Sequence, residues 1–206
     1  MNPGKQNKLR ALLGLLFILL FPLYEPLNIP RQRLHDMGTL IDGHIPVVPA
    51  FVIPYVSLYP YLVVSIGLLA LKGKKGRLEE FLMAGSVTMI AAYLAYGFFQ
   101  TYVPRPALTG TDFFTAVLHT VYNSDQPYNA FPSLHAGFSI LAALSLDRKV
   151  PGYKALVVWG ILIAVSTVFV KQHYVLDVLG GGLLAAVSLY LAHTGLAFLK
   201  TDQQQD

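Results

Sequence analysis

Long apolar stretches separated by short polar segments dominate this chain. Several approach the roughly 20 residues that a helix needs to cross the hydrocarbon layer of a bilayer. The pattern predicts helices at about 9–27, 50–71, 79–103, 132–147, 153–171 and 174–199. Basic residues precede the first stretch, but no small-x-small cleavage pattern follows it, so we expect a retained helix rather than a secretory signal. The predicted fold class is all-α, a polytopic membrane protein with a bundle of about six transmembrane helices.

The composition agrees with a membrane protein. Hydrophobic residues make up 54% of the chain and charged residues 13%, with a mean hydropathy of +0.53. Soluble domains usually carry about a quarter charged residues. No internal repeat or shift in composition divides the sequence, so residues 1–206 are expected to form a single integral membrane domain. The absence of cysteine from the sequence excludes disulfides and thiolate chemistry.

The distribution of basic residues predicts an orientation, because cytoplasmic segments of membrane proteins are enriched in Lys and Arg. With both termini in the cytoplasm, the inner segments hold Lys5, Lys8, Arg10, Lys72, Lys74, Lys75, Arg77, Arg148, Lys149, Lys154 and Lys200. The outer segments hold only Arg31, Arg33, Arg105 and Lys171. Topology therefore explains the net charge of +4, and no nucleic acid partner is expected. We expect a multi-pass protein of the plasma membrane.

Two histidines in short polar segments on the predicted outer side are the main candidates for chemistry. Asp177 follows His173 by four residues, a spacing that stacks two side chains on one face of a helix. We expect Asp177 to accept a proton from one ring nitrogen of His173, which leaves the other nitrogen free to attack phosphorus. His135 is then the expected proton donor to the leaving group. The alternative is a structural His–Asp pair that ties two helices together.

The segment around His135 also predicts an anion site. Pro132 fits the first turn of a helix, where its missing N–H is not needed. The backbone N–H groups of Ser133, Leu134 and His135 would then point outward at the positive end of the helix dipole. This arrangement predicts phosphate binding, although a helix cap is the ordinary role of Ser133.

Two basic side chains on the same face complete the expected phosphate site. The planar guanidinium of Arg105 suits phosphate oxygens, and Lys171 lies two residues before the catalytic candidate His173. Either side chain can instead simply snorkel to the membrane surface. The carboxylates elsewhere form no metal-ligand cluster, so we expect neither a metal nor another cofactor.

These segments together resemble the type 2 phosphatidic acid phosphatase superfamily, whose members are integral membrane phosphatases and phosphotransferases. Arg105-Pro106 resembles the end of the first sequence block of that family. The segment Pro132–His135 resembles the second block. Ser166, His173 and Asp177 match the third block at the family's spacing.

The departures from the family pattern lie at positions expected to bind phosphate. Leu134 replaces a glycine of the second block. Phe98 stands where the first block has lysine, and Thr167 stands where the third block has arginine. The resemblance therefore implies that two cations of the family are missing, and Lys171 is the candidate to replace one of them.

One branch of the superfamily is closer than the others. Residues 41–49, 129–137 and 171–177 look most like the inositol phosphorylceramide synthase-like branch, whose members move a phosphorylated head group between lipids. The resemblance makes Asp42, Asn129 and Ser166 further candidates for contacts with substrate.

The expected function is hydrolysis of a lipid phosphate monoester or diphosphate at the extracytoplasmic face, through a phosphohistidine intermediate. Hydrolysis is preferred because a site open to that face meets water. The alternative is a lipid phosphotransferase, and a third possibility is a lipid transporter that keeps the fold without the chemistry. Phe98 and Thr167 favour the transporter, whereas the intact His135, His173 and Asp177 argue against it. The expected partners are a membrane lipid phosphate and the bilayer itself.

Overall fold

The computed structural model describes residues 3–31 and 33–202, which are predominantly helical. The helices are α1 (Pro3–Leu20), α2 (Leu40–His44), α3 (Val52–Val56), α4 (Leu58–Lys72), α5 (Arg77–Phe98), α6 (Phe113–Ser124), α7 (Leu134–Ser145), α8 (Tyr153–Phe169) and α9 (Val175–Asp202). Two short strands, β1 (His35–Asp36) and β2 (Thr101–Tyr102), pair in parallel. They tie together the segments that follow α1 and α5.

The all-α class and the integral membrane character are confirmed. Within the described residues, four helical segments are long and apolar enough to cross a bilayer: Gly4–Leu27, Pro49–Lys72, Arg77–Phe98 and Val175–Leu199. The other two predicted spans correspond to α7 and α8, which are apolar but only 12 and 17 residues long. The number of six spans is therefore approximate. That the whole chain forms one domain stays a prediction.

Two segments differ from the expected pattern. The predicted helix 50–71 is divided into α3 and α4 at Ser57, because Pro60 has no N–H with which to continue the hydrogen-bond ladder from α3. The expected loop 104–131 contains α6, which begins where the Asp112 carboxylate accepts hydrogen bonds from the backbone N–H groups of Phe114 and Thr115.

Helix α7 lies at the centre of the bundle, packed against α5, α8 and α9. Glycines allow its first turns to approach α9 closely: a Cβ atom on Gly181 would overlap the Ser133 carbonyl and lie 3.1 Å from the Gly137 nitrogen. The Phe131 ring covers Gly180 in the same way. This close packing holds the start of α7 against the start of α9, the two places that contain the catalytic candidates.

Candidate active site

His173 lies on a tight turn between α8 and α9. The Thr167 carbonyl accepts hydrogen bonds from the N–H groups of Gln172, at 3.0 Å, and His173, at 3.2 Å. The Lys171 N–H donates to Val168, and Lys171 itself has the left-handed φ of 52°. This is the Schellman arrangement that ends many helices, with Lys171 at the position that usually holds glycine. The turn fixes the backbone from which the His173 side chain projects.

The His173 ring is oriented by a backbone carbonyl. Its Nδ1 lies 2.9 Å from the Ala130 oxygen, and because a carbonyl can only accept, Nδ1 carries the proton. Asp177 is farther away, with 3.7 Å between its Oδ2 and Nδ1. The expected hydrogen bond from His173 to Asp177 is therefore wrong, because α9 begins only at Val175 and the two residues do not share a helix face. The His173 Nε2 has no partner among residues 3–31 and 33–202.

The Asp177 carboxylate is fully buried at the first turn of α9. Its Oδ2 accepts a hydrogen bond of 2.8 Å from the Tyr174 N–H, which secures the start of the helix. Its Oδ1 is buried without a hydrogen-bond partner in the described part of the chain. Asp177 thus places an incompletely paired carboxylate beside the protonated side of the His173 ring.

His135 lies in the first turn of α7 and faces His173. The two imidazole centroids are 6.3 Å apart, and the His135 ring stacks on Tyr55 with 4.3 Å between centroids and 9° between planes. Neither ring nitrogen of His135 has a hydrogen-bond partner in the part of the chain that the structure describes. The Tyr55 ring therefore holds the His135 imidazole in place while both imidazole nitrogens stay available for hydrogen bonds to a substrate. Nothing in the sequence pattern pointed to Tyr55.

The expected anion site at the start of α7 is largely occupied by the protein itself. The Ser133 hydroxyl caps the helix by accepting from the Ala136 N–H, and the Ser133 N–H donates to the Asp177 carbonyl at 3.0 Å. The Leu134 N–H faces the Tyr96 hydroxyl. The expectation that all three N–H groups are free is therefore wrong, because the hydrogen bond to α9 consumes the Ser133 N–H. The His135 N–H has no hydrogen-bond partner among the described residues.

Arg105 is connected to the site through other residues. Its guanidinium donates to the carbonyls of Tyr122 and Asp125, both at 2.6 Å, and to the Gln172 side chain at 2.8 Å. The group also lies over the Tyr122 ring. Three of its five N–H groups are thus engaged, and Nε is buried without a partner among the described residues. Lys171 is half-buried and donates to the Asp42 carbonyl at 3.0 Å.

The positions of the two missing family cations have different surroundings. Phe98 is 89% exposed and points away from the bundle. Thr167 is fully buried, and its hydroxyl donates to the Ala164 carbonyl. Neither side chain lines the site.

Of the three further candidates, only Asn129 lies at the site. Asp42 is buried, and its carboxylate accepts from the Val175 N–H and from the N–H and hydroxyl of Thr39, so it secures the start of α9. Ser166 is fully buried and donates to the Ile163 carbonyl. The Asn129 Oδ1 accepts from Gln100, and its Nδ2 has no partner among the described residues.

A cavity of about 430 Å³ connects these groups. His135, His173, Leu134 and Asn129 line it, whereas Arg105, Lys171 and Asp177 lie outside its wall. Most of the remaining wall is aromatic or aliphatic, with tyrosines supplied by five different segments: Tyr24, Tyr55, Tyr59, Tyr93, Tyr96 and Tyr128. An apolar cleft with a few convergent polar groups is the usual form of a small-molecule site. In residues 3–31 and 33–202, no three His, Asp or Glu side chains converge to hold a metal ion.

A known protein family matches most of the chain. The profile of the PAP2 superfamily matches residues 27–191, most of the chain. The chain belongs to the PAP2 superfamily. This PAP2 protein is also 36% identical, over 90 residues, to the inositol phosphorylceramide synthase catalytic subunit of Schizosaccharomyces pombe. That match covers 42% of the present chain and 20% of the relative. No solved structure matches. The resemblance predicted from the sequence is confirmed, and it assigns the chain to a family of lipid phosphatases and phosphotransferases.

Proposed function

We propose that this PAP2 protein hydrolyses a membrane lipid phosphate through a phosphohistidine at His173. The observation that carries the proposal is the facing pair of histidines at one cavity, with the Nδ1 of His173 on the Ala130 carbonyl and its Nε2 without a partner among the described residues. A carbonyl on Nδ1 fixes the tautomer in which Nε2 is the nucleophile. The family membership supports the reaction class.

The two imidazole rings lie close enough to act on the same phosphate ester. Their centroids are 6.3 Å apart, and both rings line one cavity. A proton donor must come within about 3 Å of the oxygen that it protonates, a distance that a substrate bound in this cavity can reach.

In the first step, Nε2 of His173 forms a bond to phosphorus, and the bond from phosphorus to the leaving oxygen breaks. His135 gives its proton to that oxygen. In the second step, His135 takes a proton from water, whose oxygen attacks the phosphohistidine and releases phosphate. The Asp177 carboxylate stabilises the positive charge on the phosphorylated imidazole, 3.7 Å from Nδ1. No step requires a metal ion.

The phosphate oxygens need positive partners, and two basic residues beside the cavity can supply them. Lys171 uses one of its three donors on the Asp42 carbonyl, and two N–H groups of Arg105 have no partner among the described residues, one of them on the buried Nε. Both adjoin the turn that carries His173, since Arg105 donates to Gln172. We assign them to charge stabilisation together with the His135 N–H.

We place the site at the extracytoplasmic face of the plasma membrane, with both termini in the cytoplasm. The charge distribution supports this orientation. Lys74 and Lys75 lie between α4 and α5, and Arg77 begins α5, on the opposite side of the predicted spans from His135 and His173.

Transfer of the phosphorylated group to a second alcohol is the other candidate function. The partial identity to inositol phosphorylceramide synthase favours it, because that relative is named as a synthase. Transfer uses the same first step, and the two functions differ only in whether water or an alcohol attacks the phosphohistidine.

A phosphate-release assay in detergent, on a panel of lipid phosphates, tests the proposal. We expect His173→Ala to lower turnover at least about 10³-fold, because the nucleophile is lost. His193→Ala is the matched control, since His193 pairs with Glu80 away from the cavity and its loss should change turnover less than about twofold. Equal turnover by wild type and His173→Ala would refute the assignment of His173 as the nucleophile. Lipid consumption without phosphate release would indicate transfer.

A further inference from the structure

The cavity wall contains a carboxyl group for which the proposed mechanism has no use. Asp125 follows the last residue of α6 and lines the cavity together with both histidines. Its Oδ1 accepts a hydrogen bond of 2.7 Å from the Asn28 side chain and a longer one of 3.4 Å from the Tyr24 hydroxyl. Its Oδ2 has no hydrogen-bond partner in residues 3–31 and 33–202. One oxygen is thus anchored, and the other is a free acceptor at the cavity.

The described residues supply no hydrogen-bond donor to the Oδ2 of Asp125. Burial raises the pKa of Asp125, and the opposing effects of Arg105, His173 and the Asn28 hydrogen bond do not fully offset it. The Arg105 guanidinium contacts the backbone carbonyl of Asp125 rather than its side chain. A carboxyl group in such a place gains free energy when a ligand brings it a donor.

The free oxygen of Asp125 favours a ligand group that donates a hydrogen bond. A phosphate oxygen is an acceptor with negative charge, so it is repelled by an ionised carboxylate. A ligand hydroxyl group can donate to Asp125, and the tyrosine hydroxyls of the cavity wall can exchange hydrogen bonds with polar groups next to that hydroxyl. The acyl chains of the lipid can pack against the apolar side chains of the wall.

We propose that Asp125 is a specificity-determining residue that accepts a hydrogen bond from a hydroxyl group of the lipid substrate, close to the phosphate. This inference rests on the proposed function, because it takes the cavity to be the substrate site. The Asn28 and Tyr24 contacts pre-orient the carboxyl group, so that Oδ2 is directed by the protein before the substrate binds.

Two pairs of lipids that differ only in hydroxyl content test the inference. Phosphatidylglycerol is compared with phosphatidylpropanol, and lysophosphatidate with its analogue that lacks the free glycerol hydroxyl. The first pair tests a head-group hydroxyl, and the second tests a hydroxyl on the glycerol backbone. We expect wild type to prefer the hydroxylated member of one pair about tenfold or more in kcat/KM, as sites built to bind a hydroxyl do.

Two variants of Asp125 remove first the charge and then the oxygen atoms that accept the hydrogen bond. Asp125→Asn keeps the shape of the side chain but loses its charge, and should lower the preference in kcat/KM for the hydroxylated lipid about fivefold. Asp125→Ala should bring the ratio of kcat/KM between the two lipids of the pair close to one. Asp112→Asn is the matched control, because Asp112 caps the opposite end of α6 outside the cavity, and its ratio should equal that of wild type. An unchanged ratio in both Asp125 variants would overturn the inference.

Thermal stabilisation by the same lipids in detergent provides a second measurement that does not depend on turnover. Wild type and His173→Ala should both be stabilised more by the hydroxylated lipid, and Asp125→Ala should show no difference. If no lipid is turned over but this binding preference is found, the proposed reaction fails and the role of Asp125 stands. Equal stabilisation of wild type by both members of both pairs would refute the role of Asp125, whether or not its variants fold.

Discussion

At the residue scale, the placement of His173 depends on an unusual backbone conformation at Lys171. A non-glycine residue at φ 52° costs roughly 1 kcal/mol relative to glycine. The same residue supplies an ammonium group that we assign to the phosphate. Lys171 therefore has a backbone role and a side-chain role that can be separated by substitution.

We predict that Lys171→Gly is more stable than Lys171→Ala by about 1 kcal/mol, because only glycine adopts the left-handed conformation without strain. Both variants lack the ammonium group, so both should lose turnover by about tenfold or more if it binds phosphate. Denaturation in detergent and phosphate release measure the two effects. Full activity of Lys171→Gly would show that its side chain does not hold the phosphate.

The residues of the site were predictable from the sequence to different degrees. His135 and His173 could be identified because a polar, titratable ring beside a membrane span is costly to bury and contributes little to apolar packing. The partner of His173 could not, because the Ala130 carbonyl has no side-chain signal. Tyr55 was missed for a related reason: a tyrosine in an apolar span is typical of the core, and only tertiary packing places it against His135.

At the element scale, the start of α9 is held by a residue more than a hundred positions earlier in the chain. The Asp42 carboxylate accepts from the Val175 N–H at 2.8 Å, and the Lys171 ammonium contacts the Asp42 carbonyl. Burial raises the pKa of Asp42, but the hydrogen bonds from Thr39 and Val175 outweigh it and lower the pKa below its ordinary value. The segment before α3 thus supports the turn that carries His173.

A lowered pKa in the folded state means that the ionised form of Asp42 stabilises the fold. That contribution is present above the unfolded pKa of about 4 and is lost as the pH falls through the folded value. We predict that Asp42→Asn lowers the free energy of unfolding by about 1–3 kcal/mol at pH 7 and that its difference from wild type shrinks below about pH 4. Thermal unfolding in detergent between about pH 7 and about pH 3 measures this.

Glu25→Gln is the control for the pH series, since the Glu25 side chain is exposed. It should unfold like wild type throughout. A difference between wild type and Asp42→Asn that stays constant down to about pH 3 would contradict the assignment.

The apolar helices could be predicted from the sequence, whereas α6 could not. Helix α6 contains Thr, His and Asn among its apolar residues and is too short to span a bilayer, so the sequence pattern indicated an outer loop. Its fold depends on contacts that sequence periodicity does not reveal, chiefly the Arg105 hydrogen bonds to the carbonyls at its end. The break at Ser57 was also missed, although Pro60 is a visible signal for it.

At the scale of the whole molecule, the charge distribution and the position of the cavity predict the orientation of the protein in the membrane. The sequence contains no cysteine, so single cysteines can be introduced without background labelling. We predict that Thr109→Cys, in the segment between β2 and α6, is labelled in intact cells by a membrane-impermeant maleimide. Lys75→Cys, between α4 and α5, should be labelled only after permeabilisation.

Both positions are exposed, so only the side of the membrane on which each lies should decide whether the reagent reaches it. Labelling of Lys75→Cys alone in intact cells would invert the orientation and place the cavity on the cytoplasmic side.

The central claim is that His173 carries the phosphoryl group, and the direct measurement is rapid acid-free quenching of turnover with a lipid labelled on phosphorus. The account predicts label on the protein that is stable to alkali, labile to acid and located at His173. His135→Ala should form this label more slowly, because it lacks the group that protonates the leaving oxygen, and His173→Ala should carry none. Turnover by wild type without protein-bound label, or equal label on His173→Ala, would contradict it.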